Sequence, residues 1–211
     1  MHGICAPGAP LCEAELARQL HASRTPVREA LSRLIEEGYV ERVPGRGYFV
    51  TPITVTLIQN IFDVRRLLEG AAAARAAQFA DAAAIARLHE LAKFEYEAGD
   101  AAAFRKAAEA NGAFHLALAQ AGRNAIIADL VRHCLDQVTR IISLGIDYAP
   151  LQQSASGEHQ AVVDAIERRD PEAARAAVER HLDGSTRRMM DALMHGGMYA
   201  VTVSRAAAGG A

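Results

Sequence analysis

Ser23-Arg24-Thr25-Pro26-Val27-Arg28-Glu29-Ala30-Leu31, running on through Ser32-Arg33-Leu34-Ile35-Glu36-Glu37-Gly38, decides how the first quarter of this 211-residue chain is read. Thr25 offers a capping hydroxyl, and Pro26 then stands at the first helical position, where a missing N–H costs nothing and φ is already set. Gly38 is placed to end the helix in a left-handed turn. Between them Val27, Leu31, Leu34 and Ile35 recur at helical spacing and form one apolar stripe. Ser23, Arg24, Thr25, Arg28 and Arg33 are left outside that stripe or at its N-terminal end. Arginines and hydroxyls at the start of a short polar helix suit the major groove, because guanidinium reads guanine edges and the helix end seats a phosphate. Taken alone, the stretch equally describes a capped surface helix with no ligand.

The flanks favour DNA. Residues 1 to 10 are rich in Pro and Gly and read as a loop, and 11 to 20 read as a short helix with Leu11, Leu16 and Leu20 on one side and Glu13 and Glu15 in its first turn. His21 and Ala22 make the turn between the two helices, which is helix-turn-helix spacing. After Gly38, two β-prone runs at 40 to 43 and 48 to 51 flank Pro44-Gly45-Arg46-Gly47, a hairpin with a basic tip. A helix pair followed by such a hairpin is a winged helix, whose wing brings Arg46 and Gly47 to a phosphate or the minor groove.

Charge and composition narrow the class. The formal net charge is only −2, and residues 1 to 52 balance six arginines against six acids, yet 23 to 33 carry three arginines against Glu29 alone. DNA affinity on this pattern comes from one face and falls steeply with salt. No apolar run is long enough to span a bilayer and the N-terminus is no signal peptide, so a cytoplasmic protein is expected. Cys5, Cys12 and Cys134 are odd in number and lack CxxC spacing, which supports neither a disulfide framework nor a cysteine zinc site.

A brief linker at 52 to 55 leads into an all-helical pattern. Breaks fall at 80–81, 99–100, 122–124, 149–156 and 170–171, where Asp81, Asp100, Asn124, Ser154 or Ser156, and Asp170 can cap. Six helices are expected, roughly 56–79, 82–98, 101–121, 124–148, 156–168 and 171–194, with a Gly- and Ala-rich flexible tail at 196–211. The fold class is therefore mainly α: a winged helix-turn-helix over 1–52, then an all-α bundle of six to seven helices over 53–195.

Three histidines carry the chemistry. Asn111 and His115 are four residues apart and share a helix face. His159 and His181 each lie eleven residues from the Asp170-Pro171 break. Helices folding back there as an antiparallel pair bring both imidazoles level, about 16 Å from the turn at about 1.5 Å per residue. Three imidazoles converging inside a bundle make a divalent-metal site with open positions for water or a ligand carboxylate. Three unconnected core or surface histidines are the plain alternative.

Pro7-Gly8, Leu11, Glu13-x-Glu15-Leu16-Ala17, the stretch Ser23 to Leu31, Glu37-Gly38 and Arg46-Gly47-x-Phe49-Val50 together resemble the DNA-binding domain of the GntR family of bacterial transcriptional regulators. In that family a further helix precedes the Pro-Gly loop, and this chain starts too late to contain it. The resemblance thus implies a winged helix lacking its first helix, with Leu16, Leu20 and Leu34 uncovered and several kcal/mol of burial lost. The later helices, with Arg65 and Glu69 in the first and the histidines further on, resemble the effector-binding FCD domain of the FadR-type subfamily. In metal-binding FCD domains an Asp followed four residues later by His joins two more histidines. His115, His159 and His181 match the three histidines, and Asn111 stands at the Asp position with a neutral oxygen, which implies a weaker site for Zn, Ni or a similar divalent ion. Arg65 matches a recurrent arginine of the first FCD helix, and Arg140 faces a pocket on the fourth. Either can pair bidentately with a ligand carboxylate, and salt bridges to Glu69 or Asp136 are the alternative.

The resemblance implies a regulator and not an enzyme: a homodimer on double-stranded operator DNA whose affinity is controlled by a small organic acid. Two other readings use the same residues. A metal-dependent hydrolase would need an acid beside the histidines, and Glu158 points about 100° away from His159 on its helix. A sensor or dimerisation protein with impaired DNA binding would follow from the missing helix.

Overall fold

The computed structural model describes residues 5–93, 101–143 and 155–195. Helix α1 (Glu13–Gln19) leads through a turn with His21 in the left-handed region (φ 51°) into α2 (Arg24–Glu36). Helix α2 begins earlier than the sequence suggests. Ser23, with extended backbone, is the residue before the helix, so Thr25 lies inside it and Pro26 is its third residue. The shift costs nothing, because N–H groups of a helix's first turn have no intrahelical acceptor and proline forfeits none there. At the other end Gly38 takes φ 78°, its N–H donating to Ile35 O (3.0 Å) while Tyr39 N–H donates to Leu34 O (2.8 Å). These are the two bonds of a left-handed glycine cap.

Three antiparallel strands follow the order β1-β3-β2, with β1 at Pro10–Leu11, β2 at Val40–Val43 and β3 at Gly47–Val50. Leu11 therefore belongs to a strand opposite Tyr48 and not to the first helix. The reason is backbone pairing that composition does not reveal: Gly8 N–H donates to Val50 O (2.8 Å), and Val50 N–H donates to Ala9 O (2.9 Å). The second hairpin strand runs from Gly47 to Val50, one residue earlier than expected at each end, and Thr51 N–H continues the register by donating to Tyr39 O (3.0 Å). At the wing tip Gly45 and Gly47 adopt φ 72° and 100°, which disfavour a side chain. Ala17, Val27, Leu31 and Val40 form the buried centre, with Leu11, Leu16, Leu34, Ile35 and Tyr48 packed around it. Of the three leucines expected to be uncovered, Leu20 is 66% exposed, whereas Leu16 and Leu34 are half-buried against this centre.

The chain divides into two compact units that meet in sequence between Thr54 and Val55. The second contains α3 (Val55–Phe79), α4 (Ala82–Ala92), α5 (Ala101–Ala121), α6 (Ala125–Ser143), α7 (Ala155–Glu167) and α8 (Pro171–His195). Three expected caps are in place: Asp81 accepts from Ala84 N–H (2.9 Å), Asn124 from Ile127 N–H (3.2 Å) and Asp170 from Ala173 N–H (3.0 Å). Ser156 is the second residue of α7 and so not its cap. The expected breaks at 99–100 and 149–154, the caps Asp100 and Ser154, the helix ends at 98 and 148, and the tail at 196–211 lie outside the described residues.

Helix α3 is the axis of this unit, packing on α5, α6, α7 and α8. Its alanines permit the close approach. Ala72, Ala73, Ala76 and Ala77 are buried, and a side chain at Gly122, just beyond α5, would bring a Cβ within 2.9 Å of Ala72 O. Arg169, at the turn between α7 and α8 (φ 59°), donates to Ala80 O (2.8 Å) and Ala77 O (3.3 Å), tying that hairpin to the end of α3. The architecture is the mainly α one read from the sequence, a winged helix-turn-helix plus a helical bundle.

Candidate functional site

His115 on α5, His159 on α7 and His181 on α8 meet inside the bundle, all buried, with ligand nitrogens within 4.8 Å of one another. His181 Nε2 lies 3.2 Å from His115 Nε2 and 3.3 Å from His159 Nε2. Equal offsets from the turn at 170–171 do level His159 with His181. His115 arrives through packing of α5 on α3.

Two carboxylates that the sequence did not assign to the site meet these rings. Glu69 Oε2 lies 2.6 Å from His115 Nδ1, and its Oε1 accepts from Arg65 Nε at 2.7 Å. Glu158 Oε2 lies 2.7 Å from His181 Nδ1, and Arg188 donates to both Glu158 oxygens at 3.0 Å. Glu158 does point away from its neighbour His159, as its place on the helix requires, and that direction carries it to His181. The signal was present in the sequence: a hairpin that levels residue 159 with 181 leaves residue 158 only one residue, about 1.5 Å, out of level with 181 and within side-chain reach of it. Glu69 had no comparable signal beyond its i,i+4 spacing from Arg65.

Burial opposes ionisation of Glu69, but the Arg65 guanidinium and His115 outweigh it and hold the carboxyl at about 2. Burial drives His115 down to about 4, with Arg65 and His181 adding to the effect and Glu69 opposing it. His159 is pushed well below its usual value, by burial first and then by His181 and His115. Glu158 is held at about 2 by bonds from His181 and Arg188, against the effect of its burial. Both carboxylates are thus ionised and can only accept, so the hydrogen that each shares with its imidazole sits on Nδ1. Lone pairs converging at these distances repel unless a proton or cation lies among them. Two nitrogens bound to one tetrahedral ion at about 2.0–2.1 Å stand about 3.3 Å apart, so the donor set fits a divalent metal. As bases for a bound water the carboxylates are poor, each already held by an arginine and an imidazole.

The other expected site residues lie outside the three-histidine cluster. Asn111, one turn ahead of His115 on α5, is half-buried and enters none of the cluster's hydrogen bonds. Arg65 is 2% exposed and ion-paired with Glu69, as the alternative reading had it, yet its Nη2 is buried with no hydrogen-bond partner. Arg140 lies half-buried in the last turn of α6. In the winged unit Ser23, Arg24, Thr25, Arg28, Arg33, Arg46 and Gly47 are all exposed. Arg24 and Arg28 are one turn apart on α2, whereas Arg33 lies about 140° further round the helix. Arg28 Nε donates to Glu13 Oε2 (2.7 Å), and the Arg46 guanidinium sits 5.1 Å over the Phe49 ring.

Residues 60–184, more than half of the chain, match the FCD domain model, and residues 1–50 match that of the bacterial regulatory proteins of the gntR family. The chain belongs to the GntR family, FCD type. The galactonate operon transcriptional repressor of Escherichia coli K12 is 30% identical over 217 residues, covering 90% of this chain and 92% of that protein. A probable D-xylose utilization operon transcriptional repressor from Paenarthrobacter nicotinovorans is 32% identical over 177 residues, covering 83% of this chain and 76% of that one. A GntR regulator structure from Rhodococcus sp. RHA1 superposes with a TM-score of 0.66 at 25% identity, covering 88% of each chain. This GntR-family chain is a DNA-binding transcriptional regulator. No helix among the described residues is long and apolar enough to cross a membrane.

Proposed function

We propose that this GntR-family regulator ties its operator affinity to a small carboxylate metabolite bound in the helical domain beside a divalent metal ion such as Zn or Ni. The observation that carries the reading is the buried His115, His159, His181 cluster next to an Arg65 whose Nη2 is buried and unbonded. An unsatisfied buried donor costs about 1–3 kcal/mol, and a carboxylate is the group that satisfies a guanidinium best. The three histidines would hold the ion, with the neutral oxygen of Asn111 as a further donor from the same face of α5. The metal would supply a Lewis-acid anchor for the ligand, and Arg140 a second cationic group. One relative is named for a galactonate operon, and galactonate is a carboxylate.

On this reading the domain at 1–52 binds DNA and the domain at 53–195 senses the ligand and dimerises. Ser23, Arg24, Thr25 and Arg28 meet base edges and phosphates, Arg33 meets phosphate from the later turn, and Arg46 and Gly47 act from the wing. A homodimer sets two such faces on a two-fold operator. Exposed Val64 (45%) and Leu67 (71%) on α3, with Ile126 (74%) and Leu130 (49%) on the adjacent α6, offer the apolar surface for it. The weak basicity of Glu69 and Glu158 favours this sensor over the hydrolase reading.

Fluorescence anisotropy on DNA from upstream of the protein's own gene tests the proposal, using zinc-loaded and chelator-stripped protein against a panel of sugar acids and small dicarboxylates. A salt-sensitive complex is expected, shifted roughly 5–150-fold in affinity by at least one acid and only in the loaded form. DNA binding indifferent to every acid in both forms rejects it.

A further inference from the structure

Two chains of the same composition end at the histidine cluster. In one, Arg65 holds Glu69 (2.7 Å) and Glu69 meets His115 Nδ1 (2.6 Å). In the other, Arg188 grips both oxygens of Glu158 (3.0 Å each) and Glu158 meets His181 Nδ1 (2.7 Å). They are built from different helices, α3 with α5 and α7 with α8, so neither is a by-product of the other's packing. Each chain has the same polarity: guanidinium to carboxylate, carboxylate to Nδ1–H, and an Nε2 facing the opposite histidine at 3.2 Å.

A neutral imidazole carries its hydrogen on either nitrogen, and only the Nδ1–H form offers Nε2 as a metal ligand. A carboxylate that can only accept fixes that form and fixes the ring's rotation as well. Burying Glu69 completely, with Arg65 beside it, carries a desolvation cost that an apolar pair of similar volume would avoid. We propose that Glu69 and Glu158 are positioning residues that lock His115 and His181 as Nε2 ligands, each carboxylate being itself anchored by Arg65 or Arg188. The inference rests on the metal reading given above. His159 is held differently: its ring stacks on Phe114 (centroids 3.9 Å apart, planes 17° apart), and no carboxylate bonds its Nδ1 among the described residues. It is the ligand whose tautomer the protein leaves open.

The test uses the full-length protein with two readouts. Nitrogen-15 histidine spectra of the metal-free protein are expected to show Nδ1–H tautomers at His115 and His181. Zinc titration against a chromophoric competitor is expected to show roughly 10–100-fold weaker binding in Glu158→Gln than in the wild type, with loss of the fixed tautomer at His181. Glu69→Gln should do the same at His115. Because Glu69 is fully buried and that variant can fail to fold, the partly exposed Glu158 carries the decision. Asp164→Asn, on the same helix but bonded to Gln160, should leave both readouts unchanged. An Nε2–H tautomer at His115 or His181 in the wild type, or unchanged zinc affinity in Glu158→Gln, overturns the inference. Absence of zinc binding by the wild type instead overturns the metal reading.

Discussion

Mild acid should weaken the metal-free helical domain before ordinary carboxylates titrate. His115 is neutral and buried in the folded state, with its pKa lowered from 6.5 to about 4. In the unfolded chain it protonates near 6.5, so between those values the unfolded state binds more protons and stability falls as pH falls. The full shift, at about 1.36 kcal/mol per unit, is worth about 3 kcal/mol at pH 4, and about 2 kcal/mol of it is lost by pH 5. His159 is depressed in the same direction and steepens the loss. A second window follows: Glu69, lowered from 4.5 to about 2, contributes stability that is complete above 4.5 and is lost as pH falls toward 2. Urea unfolding of the full chain in chelator, followed by helical circular dichroism at pH 7.5, 6.5, 5.5 and 5.0, measures the first window. His115→Gln, which cannot take up the proton, should flatten it by about 2 kcal/mol. Unchanged stability from pH 7.5 to 5.0, or an equal slope in His115→Gln, would refute the reasoning.

Removing one member of the buried Arg65–Glu69 pair strands the other, so Glu69→Leu should lower stability by about 3–5 kcal/mol in urea unfolding, and the double change Arg65→Met with Glu69→Leu should recover much of that loss. Gly38, at φ 78°, ends α2 in a conformation that costs a side chain roughly 1–2 kcal/mol, so Gly38→Ala should speed amide exchange in α2 and β2 while leaving α7 and α8 protected.

Local chemistry was legible in the sequence wherever one turn of chain decides it. The stripe Val27, Leu31, Leu34 and Ile35, the glycine stop at Gly38 and the caps Asp81, Asn124 and Asp170 depend on neighbours within four or five residues, and all stand where the pattern put them. The level pairing of His159 with His181 was readable for the same reason, since a single hairpin turn converts equal sequence offsets into equal height. What the sequence could not show are contacts between segments far apart in the chain. Leu11 became a strand because Tyr48 lies opposite it, and a two-residue strand has no period of its own. Glu69 reached His115 across 46 residues of sequence only because α3 and α5 pack together. Tertiary structure therefore decided which carboxylates orient the histidines. Periodicity fixes the face a residue occupies, but the partner on that face is set by the packing of another helix.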